Sequence, residues 1–564
     1  MLSHTGEAES ALTFLNRALV LAPDHVEAAY NAGVILAELG NLGDAETVFR
    51  RVIAAPVARA EAAVRLAAQI RLLQLLWMQG RYEEWAAEGQ QFVDAYPELP
   101  RARLITSRIA RHCGHLERET EILQPLAETV VTLHDDVIVV ELVGELLATL
   151  RYQDVPAPLL QRLANRFRDA ARAIYPASLP PSPATQPAAM TTASLRIGYL
   201  VDFSQPFVTD LMHFLVIHHD HRRVKVHVYA ISPLDTANRE KLESAGARQI
   251  SVATLDEYRA AQTIRADKLD ILVDVAAFGP YAKPGVLSYR PARVQLSLPG
   301  LTQPAAIGEL DYRLSDTVAD HDAANETDFT APLLVEGCVF PLLPAAQVPL
   351  PPRVQLGIDG RVPVFGVLAS SVRLSSRCLT TWKALSDKVP AAIFFVCPML
   401  SADRQPLRKL LLAGGIDASR ILMLSASYPR PRDLSLAGVV DVILDTMPGS
   451  DYFSTRAAIL DSIPIVSMAG RMFEERVALT LLSHLGDRST VAASGRDYID
   501  LAANLVLDQT TRQSRTNRQQ ELLEKSCLTD MQHYTARVEN ALFRAVAASD
   551  AAAAAMTERA DLAL

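Results

Sequence analysis

The sequence predicts an all-helical repeat array followed by two α/β lobes, each built on a parallel sheet, with further helices at the C-terminal end. Three observations carry this expectation. Glycines recur at intervals near 34 residues through the first 114 positions. A stretch mostly of Pro, Ala, Ser and Thr without charge, residues 177–194, separates that part from the rest. Beyond it, short apolar runs alternate with helical patterns in two consecutive series, divided by the break Pro349-Leu-Pro-Pro-Arg353.

Composition sets the outer bounds. The chain has 564 residues, enough for roughly three or four domains with large cores. Hydrophobic residues make up 49% and charged residues 21%, which fits an ordinary globular protein. A net charge of −9 argues against a partner nucleic acid held by bulk electrostatics. Cys113, Cys338, Cys378, Cys397 and Cys527 are odd in number and lack CxxC or Cys/His spacing. They predict reduced thiols, a cytoplasmic chain and no metal site. The segment Met1–Glu7 lacks the basic and apolar design of a signal peptide. No apolar run reaches about 18 residues, so no membrane span is expected.

In the N-terminal third, glycines at 6, 40, 80 and 114 are separated by 34, 40 and 34 residues. Ala11 and Ala45 stand five residues after the first two, and Pro23 and Pro97 each follow a glycine by 17. The pattern between them is helical, as in Ala28–Leu36. A 34-residue period with small residues where two helices cross is the tetratricopeptide signature. Each helix pair leaves an apolar face bare, so neighbours must stack. The array is expected over 1–125, with Gly6 at a turn of a half-present first repeat. The longer interval predicts a longer helix or an insertion around Pro56–Ala67. Such an array binds peptides or partner proteins; a structural or dimerising role is the alternative. Helical texture at Val130–Leu150 and Pro158–Tyr175 predicts connecting helices over 126–176, followed by the linker at 177–194.

The first lobe is expected over 195–349, with strands at Leu195–Val201, Val224–Ile231, Asp270–Val275 and Ala292–Leu298 and a helix from about Thr209. The second is expected over 354–510, with strands at Val362–Leu368, Ala392–Val396, Arg420–Leu424, Val440–Leu444 and Ile465–Met468. Two such series predict Rossmann-like lobes facing a cleft, with ligands at the carboxyl ends of the strands. Helices should fill 511–547, and the alanine-rich tail, 548–564, should fray. The stretch Asp441–Val466 organises the second lobe: strand, Pro-Gly-Ser-Asp turn, a helix from near Ser454, then a strand after Pro464. Ser454 and Thr455 would put free N–H groups and a positive helix end against a phosphate, or Ser454 only caps the helix. Asp202, Asp210 and Asp274 lie at or near carboxyl ends of first-lobe strands. His218-His219-Asp220-His221 is expected at an exposed helix end, and Asp311 and Asp316 in structural roles.

Several segments, in this order behind a tetratricopeptide array, resemble the tetratricopeptide-repeat protein O-glycosyltransferases, the O-GlcNAc transferase and SPINDLY group. They are Leu195–Tyr199, Tyr289–Gln295, Leu298–Thr302, Asp311–Asp316, Trp382 with Val389-Pro390, Asp441–Pro448, Gly470 with Arg476-Val477, and Tyr498–Ala502. The resemblance implies a two-lobed GT-B catalytic region, a nucleotide-sugar donor, a protein acceptor in the array groove, and neither metal nor cofactor; a homodimer stays open. It also exposes departures. Pro206 stands where the family's His-Pro-Thr segment has its His, and a second family His maps near Asp210. Ala276–Gly279 replaces a Gly-Tyr/His-Thr segment. The lysine that contacts the donor diphosphate maps to Arg373, and another donor-side lysine to Arg430. A nucleotide-stacking His maps to Asp433, His-Thr-Thr to Tyr452-Phe453-Ser454, and a ribose-binding Asp to Ala457. Pro206, Phe207, Pro299, Gly300 and Thr302 are expected to line the cleft.

Two accounts follow. Loss of the His positions suits a catalytically inactive adaptor or scaffold, because general acid–base groups supply about 10²–10⁴-fold. Retained charge at Arg373 and Arg430, with a planar fork suited to carboxylate or phosphate, suits a donor such as a CMP-linked nonulosonic acid. The latter gives an inverting transferase acting on Ser/Thr of a protein such as flagellin. Asp210 is then the candidate base; otherwise it only answers the helix dipole. A UDP-GlcNAc-dependent O-GlcNAc transferase with a rearranged site is a further alternative.

Overall fold

The structure, a computed structural model, describes residues 4–56, 62–175, 194–275, 281–298, 309–320 and 330–561. The linker from 176 to 193, Ala276–Gly279, Pro299, Gly300 and Thr302 lie outside the described residues, as does the side chain of Pro206.

Nine helices, from His4–Leu21 to Ala157–Ile174, form the array among the described residues. Gly40, Gly80 and Gly114 close its turns at φ of 82°, 69° and 90°, where a side chain would be strained. The fourth glycine behaves differently. Gly6 has helical backbone inside His4–Leu21, so no turn lies there. Small residues sit where helices cross: a Cβ on Gly33 would lie 2.8 Å from the Phe49 ring. Phe49, Trp85 and Phe92 fill the buried seam between helices. The longer interval is taken up partly by the helix Ala62–Met78, of 17 residues against 13 for Val26–Glu38.

The first lobe is a seven-stranded sheet of β1 (Leu195–Val201), β2 (Val224–Ala230), β3 (Arg248–Ser251), β4 (Ile271–Asp274), β5 (Val294–Ser297), β6 (Tyr312–Ser315) and β7 (Ala331–Leu334). Its order is β3-β2-β1-β4-β5-β6-β7. A small pair, β8 (Val348–Pro349) with β12 (Leu434–Ser435), joins the lobes. The second lobe has β9 (Val364–Ala369), β10 (Ile393–Pro398), β11 (Ile421–Met423), β13 (Val442–Leu444), β14 (Ile465–Met468) and β15 (Val491–Ala492), ordered β11-β10-β9-β13-β14-β15. All of these pairings are parallel, and the central strands are apolar and buried, as helices on both faces require. The short outer strands β3 and β7 carry no such signal, because their residues are largely half-buried or exposed.

Two helices begin earlier than expected. Pro206–His218 opens on its proline, whose missing N–H costs nothing in a first turn. Tyr452–Leu460 starts two residues before Ser454 because Asp451, not Ser454, is the capping residue. At the C-terminal end, the helix Met531–Asp561 extends into the stretch expected to fray, as alanine's helix propensity favours. This helix corrects the reading of the histidine cluster as exposed at one member, His219, while Asp220 and His221 are exposed as expected. His219 is buried between the Tyr199 hydroxyl and Glu539, 2.8 Å from each, and burial pushes its pKa down.

Candidate active site at the paired switch points

In each sheet, the strand order reverses direction at one place: between β1 and β4 in the first lobe, and between β9 and β13 in the second. A crevice opens beyond the carboxyl ends of the strands at such a point. In the second lobe, β9 leads into the turn Ser371–Arg373, and β13 leads into the loop 445–451 and then the helix Tyr452–Leu460.

Asp445 organises that loop from within. One carboxylate oxygen accepts the N–H groups of Thr446 and Asp451, at 3.0 and 2.8 Å. The other accepts the hydroxyls of Ser450 and Ser467, at 2.6 and 2.5 Å. Full burial pushes its pKa up to about 6, against the pull of these donors. Asp451 then caps the helix by accepting the Ser454 N–H at 2.9 Å. Its second oxygen lies 3.0 Å from Nε of Arg373, which also donates to the Ser450 carbonyl at 3.0 Å.

The side chains expected to hold the donor are therefore committed inward. Arg373 is buried and paired with Asp451. The Tyr452 hydroxyl donates to the Pro341 carbonyl at 2.7 Å and accepts the Leu343 N–H at 3.1 Å. Ser454 donates to the Leu368 carbonyl at 2.7 Å, and Thr455 to the Asp451 carbonyl at 2.9 Å. Both hydroxyls are fully buried, where an unpaired O–H would be costly. What the helix tip still offers an anion is the first-turn N–H groups of Tyr452 and Phe453, which no intrahelical carbonyl reaches.

The array grips the same loops. Tyr152 lies under the Arg373 guanidinium, 4.6 Å from ring centre to Cζ. The ring needs Gly449 opposite it: a Cβ there would lie 2.6 Å from Tyr152 Cδ1. Asp154 pairs with Arg377 at 3.1 Å. Arg111, 260 residues away in sequence, donates to the Ser371 carbonyl at 2.6 Å and the Leu374 carbonyl at 3.1 Å, while its Nε meets Glu119 at 2.7 Å. Nothing in the sequence linked these array residues to the second lobe.

From the first lobe, the helix Pro206–His218 brings Phe207 against the second-lobe helix tip. Its ring centre lies 4.8 Å from that of Tyr452 and 6.2 Å from that of Phe453, both edge-on. Asp210 is the fifth residue of the helix and bridges the lobes, 2.9 Å from Nη1 of Arg432. It keeps 46% of its side chain exposed, so part of the carboxylate reaches solvent. Asp202 and Asp274, the other candidate carboxylates, are buried. Arg430 is exposed, and among the described residues no ion pair engages it. Asp311 and Asp316 hold backbone, Asp311 accepting the Gln295 N–H and Asp316 those of Val318, Ala319 and Val339.

Comparison with known proteins follows this geometry. The family described as glycosyl transferase family 41 matches residues 179–330 and 344–538. The chain is 26% identical over 358 residues to a Hordeum vulgare protein named probable UDP-N-acetylglucosamine–peptide N-acetylglucosaminyltransferase SPINDLY, covering 62% of this chain and 38% of that one. It is 21% identical over 375 residues to the Arabidopsis thaliana protein named probable UDP-N-acetylglucosamine–peptide N-acetylglucosaminyltransferase SEC, covering 62% and 37%. The chain thus spans well under half the length of these curated relatives. A solved structure of a mutant O-GlcNAc transferase from Thermobaculum terrenum superposes with a TM-score of 0.68 at 22% identity, over 97% of this chain and 96% of that one. That likeness shows the fold, a helical array joined to paired α/β lobes.

Proposed function

The chain belongs to glycosyl transferase family 41, and on that footing we propose that it moves a sugar from a nucleotide-sugar donor to a Ser or Thr hydroxyl of a protein presented by its helical array. The observation that carries this reading is the meeting of the two switch points. The helices Pro206–His218 and Tyr452–Leu460, one from each, touch through Phe207 and Tyr452 and are tied by Asp210 and Arg432. In this reading Asp210 takes the acceptor hydroxyl proton as the sugar–phosphate bond breaks and the new glycosidic bond forms. The nucleotide leaves with the bond's electron pair, its charge met by Arg430, Arg432 and the N–H groups of the helix tip. A donor carrying its own carboxylate, such as a CMP-linked nonulosonic acid, suits two guanidiniums at the mouth, and a flagellin-like protein would be the acceptor.

Thermal unfolding of the full chain with UDP, GDP and CMP tests the reading. A nucleotide present at 100 times its Kd should stabilise the protein by about 2.7 kcal/mol. The nucleotide that does so names the donor class, with UDP pointing to GlcNAc-type transfer. No stabilisation by any of them would leave the second reading, a silent adaptor. One observation favours that reading: Asp451 already occupies Arg373 at the place where a donor phosphate would sit.

A further inference from the structure

We propose that Asp316, Cys338 and His484 form a binding site for a zinc-like divalent cation that fastens the two lobes together. One ligand atom from each gathers within 4.8 Å of the other two. Tetrahedral zinc, with bonds of about 2.0–2.3 Å, holds neighbouring ligand atoms roughly 3.3–3.7 Å apart. Small side-chain adjustments close that gap. The donor set of one thiolate, one imidazole and one carboxylate matches zinc, and the three leave a fourth position for water or a small anion.

The surroundings are built for such a role. Nε2 of His484 is buried without a hydrogen-bond partner and stands 3.5 Å from Oδ2 of Asp316. Asp316 is fixed from behind: Oδ1 accepts the N–H groups of Val318 and Ala319, both at 2.8 Å, and Oδ2 accepts that of Val339 at 2.7 Å. This leaves a lone pair on Oδ2 toward the histidine. Outer bonds of this kind orient metal ligands. Cys338 is 1% exposed and follows Gly337, at φ of 84°, in a tight turn. The Arg537 guanidinium lies against that turn, so close that a Cβ on Gly337 would clash with it, and its charge offsets that of a thiolate. On binding, Cys338 releases its proton to solvent and sulfur bonds the metal.

The ligands come from both lobes. Asp316 follows β6 and Cys338 follows β7, while His484 sits in the last turn of the second-lobe helix Val477–Leu485. Arg476 already donates from this lobe to the Val318 carbonyl, at 3.0 and 2.9 Å. An ion beside that contact would fix how the lobes sit against each other. The expectation of no metal site came from cysteine spacing, which cannot register ligands brought together by the tertiary fold.

The test uses the full chain loaded with Zn²⁺, desalted and assayed for zinc by mass spectrometry, then reloaded with Co²⁺. We expect one zinc per chain, one sulfur in its X-ray absorption shell, and a tetrahedral cobalt spectrum with a thiolate charge-transfer band. Cys338→Ser should abolish that band. His484→Ala should weaken metal binding by at least the 10–100-fold that losing an outer-shell partner costs. The exposed thiols give the control, since Cys113→Ser and Cys527→Ser should leave the band intact. A wild-type protein that keeps no zinc, a zinc shell without sulfur, or a band lost with the control variants would overturn the proposal. The absorption measurement on wild-type protein decides the matter even if a variant misfolds.

Discussion

Two regions flank the switch points, and they differ in how their charges are answered. On the array side, Arg111, Glu119, Arg373, Asp451 and Asp445 are buried in a chain of short contacts. On the first-lobe side, Asp210 is half-exposed and paired with Arg432, and Arg430 is exposed with no ion pair among the described residues. Buried charges of the first kind hold a shape, because each is costly to leave alone. Of the second kind, Arg430 is open to meet a ligand, while Asp210 shares its carboxylate with Arg432. The arginines expected to play one donor-side role thus divide: Arg373 anchors the seam and Arg430 faces outward.

The sharpest way to break this contrast is to remove Arg111. Arg111→Ala strands Glu119, 1% exposed, and two carbonyls of the donor-side turn. The expected loss is about 3–5 kcal/mol, read as a lower denaturation midpoint. Replacing both partners, Arg111→Met with Glu119→Leu, should restore much of it. If the single change costs under about 1 kcal/mol, the seam is not an anchor. Gly449→Ala comes next. Its new Cβ meets the Tyr152 ring, at a cost of about 1–3 kcal/mol. In a Tyr152→Ala background that penalty should vanish, and a cycle without coupling would deny that the array sets the loop.

The outline of the fold was legible, and the site only in part. β1 and β14 begin and end where apolar runs bounded by turns placed them. Gly40, Gly80 and Gly114 marked array turns because a positive φ leaves its imprint on sequence. Gly6 shows the limit, since a glycine inside a helix looks the same. Ser454 and Thr455 fall in the first turn of the helix, two residues later than its start, but a hydroxyl there can turn outward to an anion or inward to a carbonyl. Spacing cannot distinguish these, and burial chose the inward path. Arg111 and Tyr152 were invisible for a different reason: their partners lie on another domain.

A substitution at Asp451 asks whether the anchored arginine can be released. Asn still caps a helix, so Asp451→Asn should keep the Tyr452–Leu460 start while removing the charge that occupies Arg373. Nucleotide binding should tighten about tenfold, a gain of about 1.4 kcal/mol, by calorimetry. Unchanged affinity would mean that the Arg373 site plays no part in binding.

The seam between the last array helix and the first lobe offers a comparison in pH. Burial pushes Glu257 up to about 7, against Lys283 and the N–H groups of Gly285 and Val286. Its folded pKa exceeds the unfolded value near 4.5, so its contribution is complete below that value and is lost as pH rises through about 7. Thermal stability should therefore decline across this window, by about 1–3 kcal/mol. Glu257→Gln, which mimics the neutral form, should flatten the decline. An unaltered profile would place the titration elsewhere.

The smallest change in stability belongs to Arg430→Ala, and it is the most informative about the mouth. Arg430 is exposed and its side chain holds nothing in place, so the unfolding midpoint should move by no more than about 0.5 kcal/mol. Donor binding should behave otherwise. A charge-assisted contact to phosphate or carboxylate is worth about 1.5–3 kcal/mol, or roughly ten- to a hundredfold in affinity. Arg430→Lys should recover part of this, because the charge returns while the planar fork does not. Equal affinity in all three proteins would remove Arg430 as a donor-side cation, and the contrast between anchored and available arginine would then describe only structure.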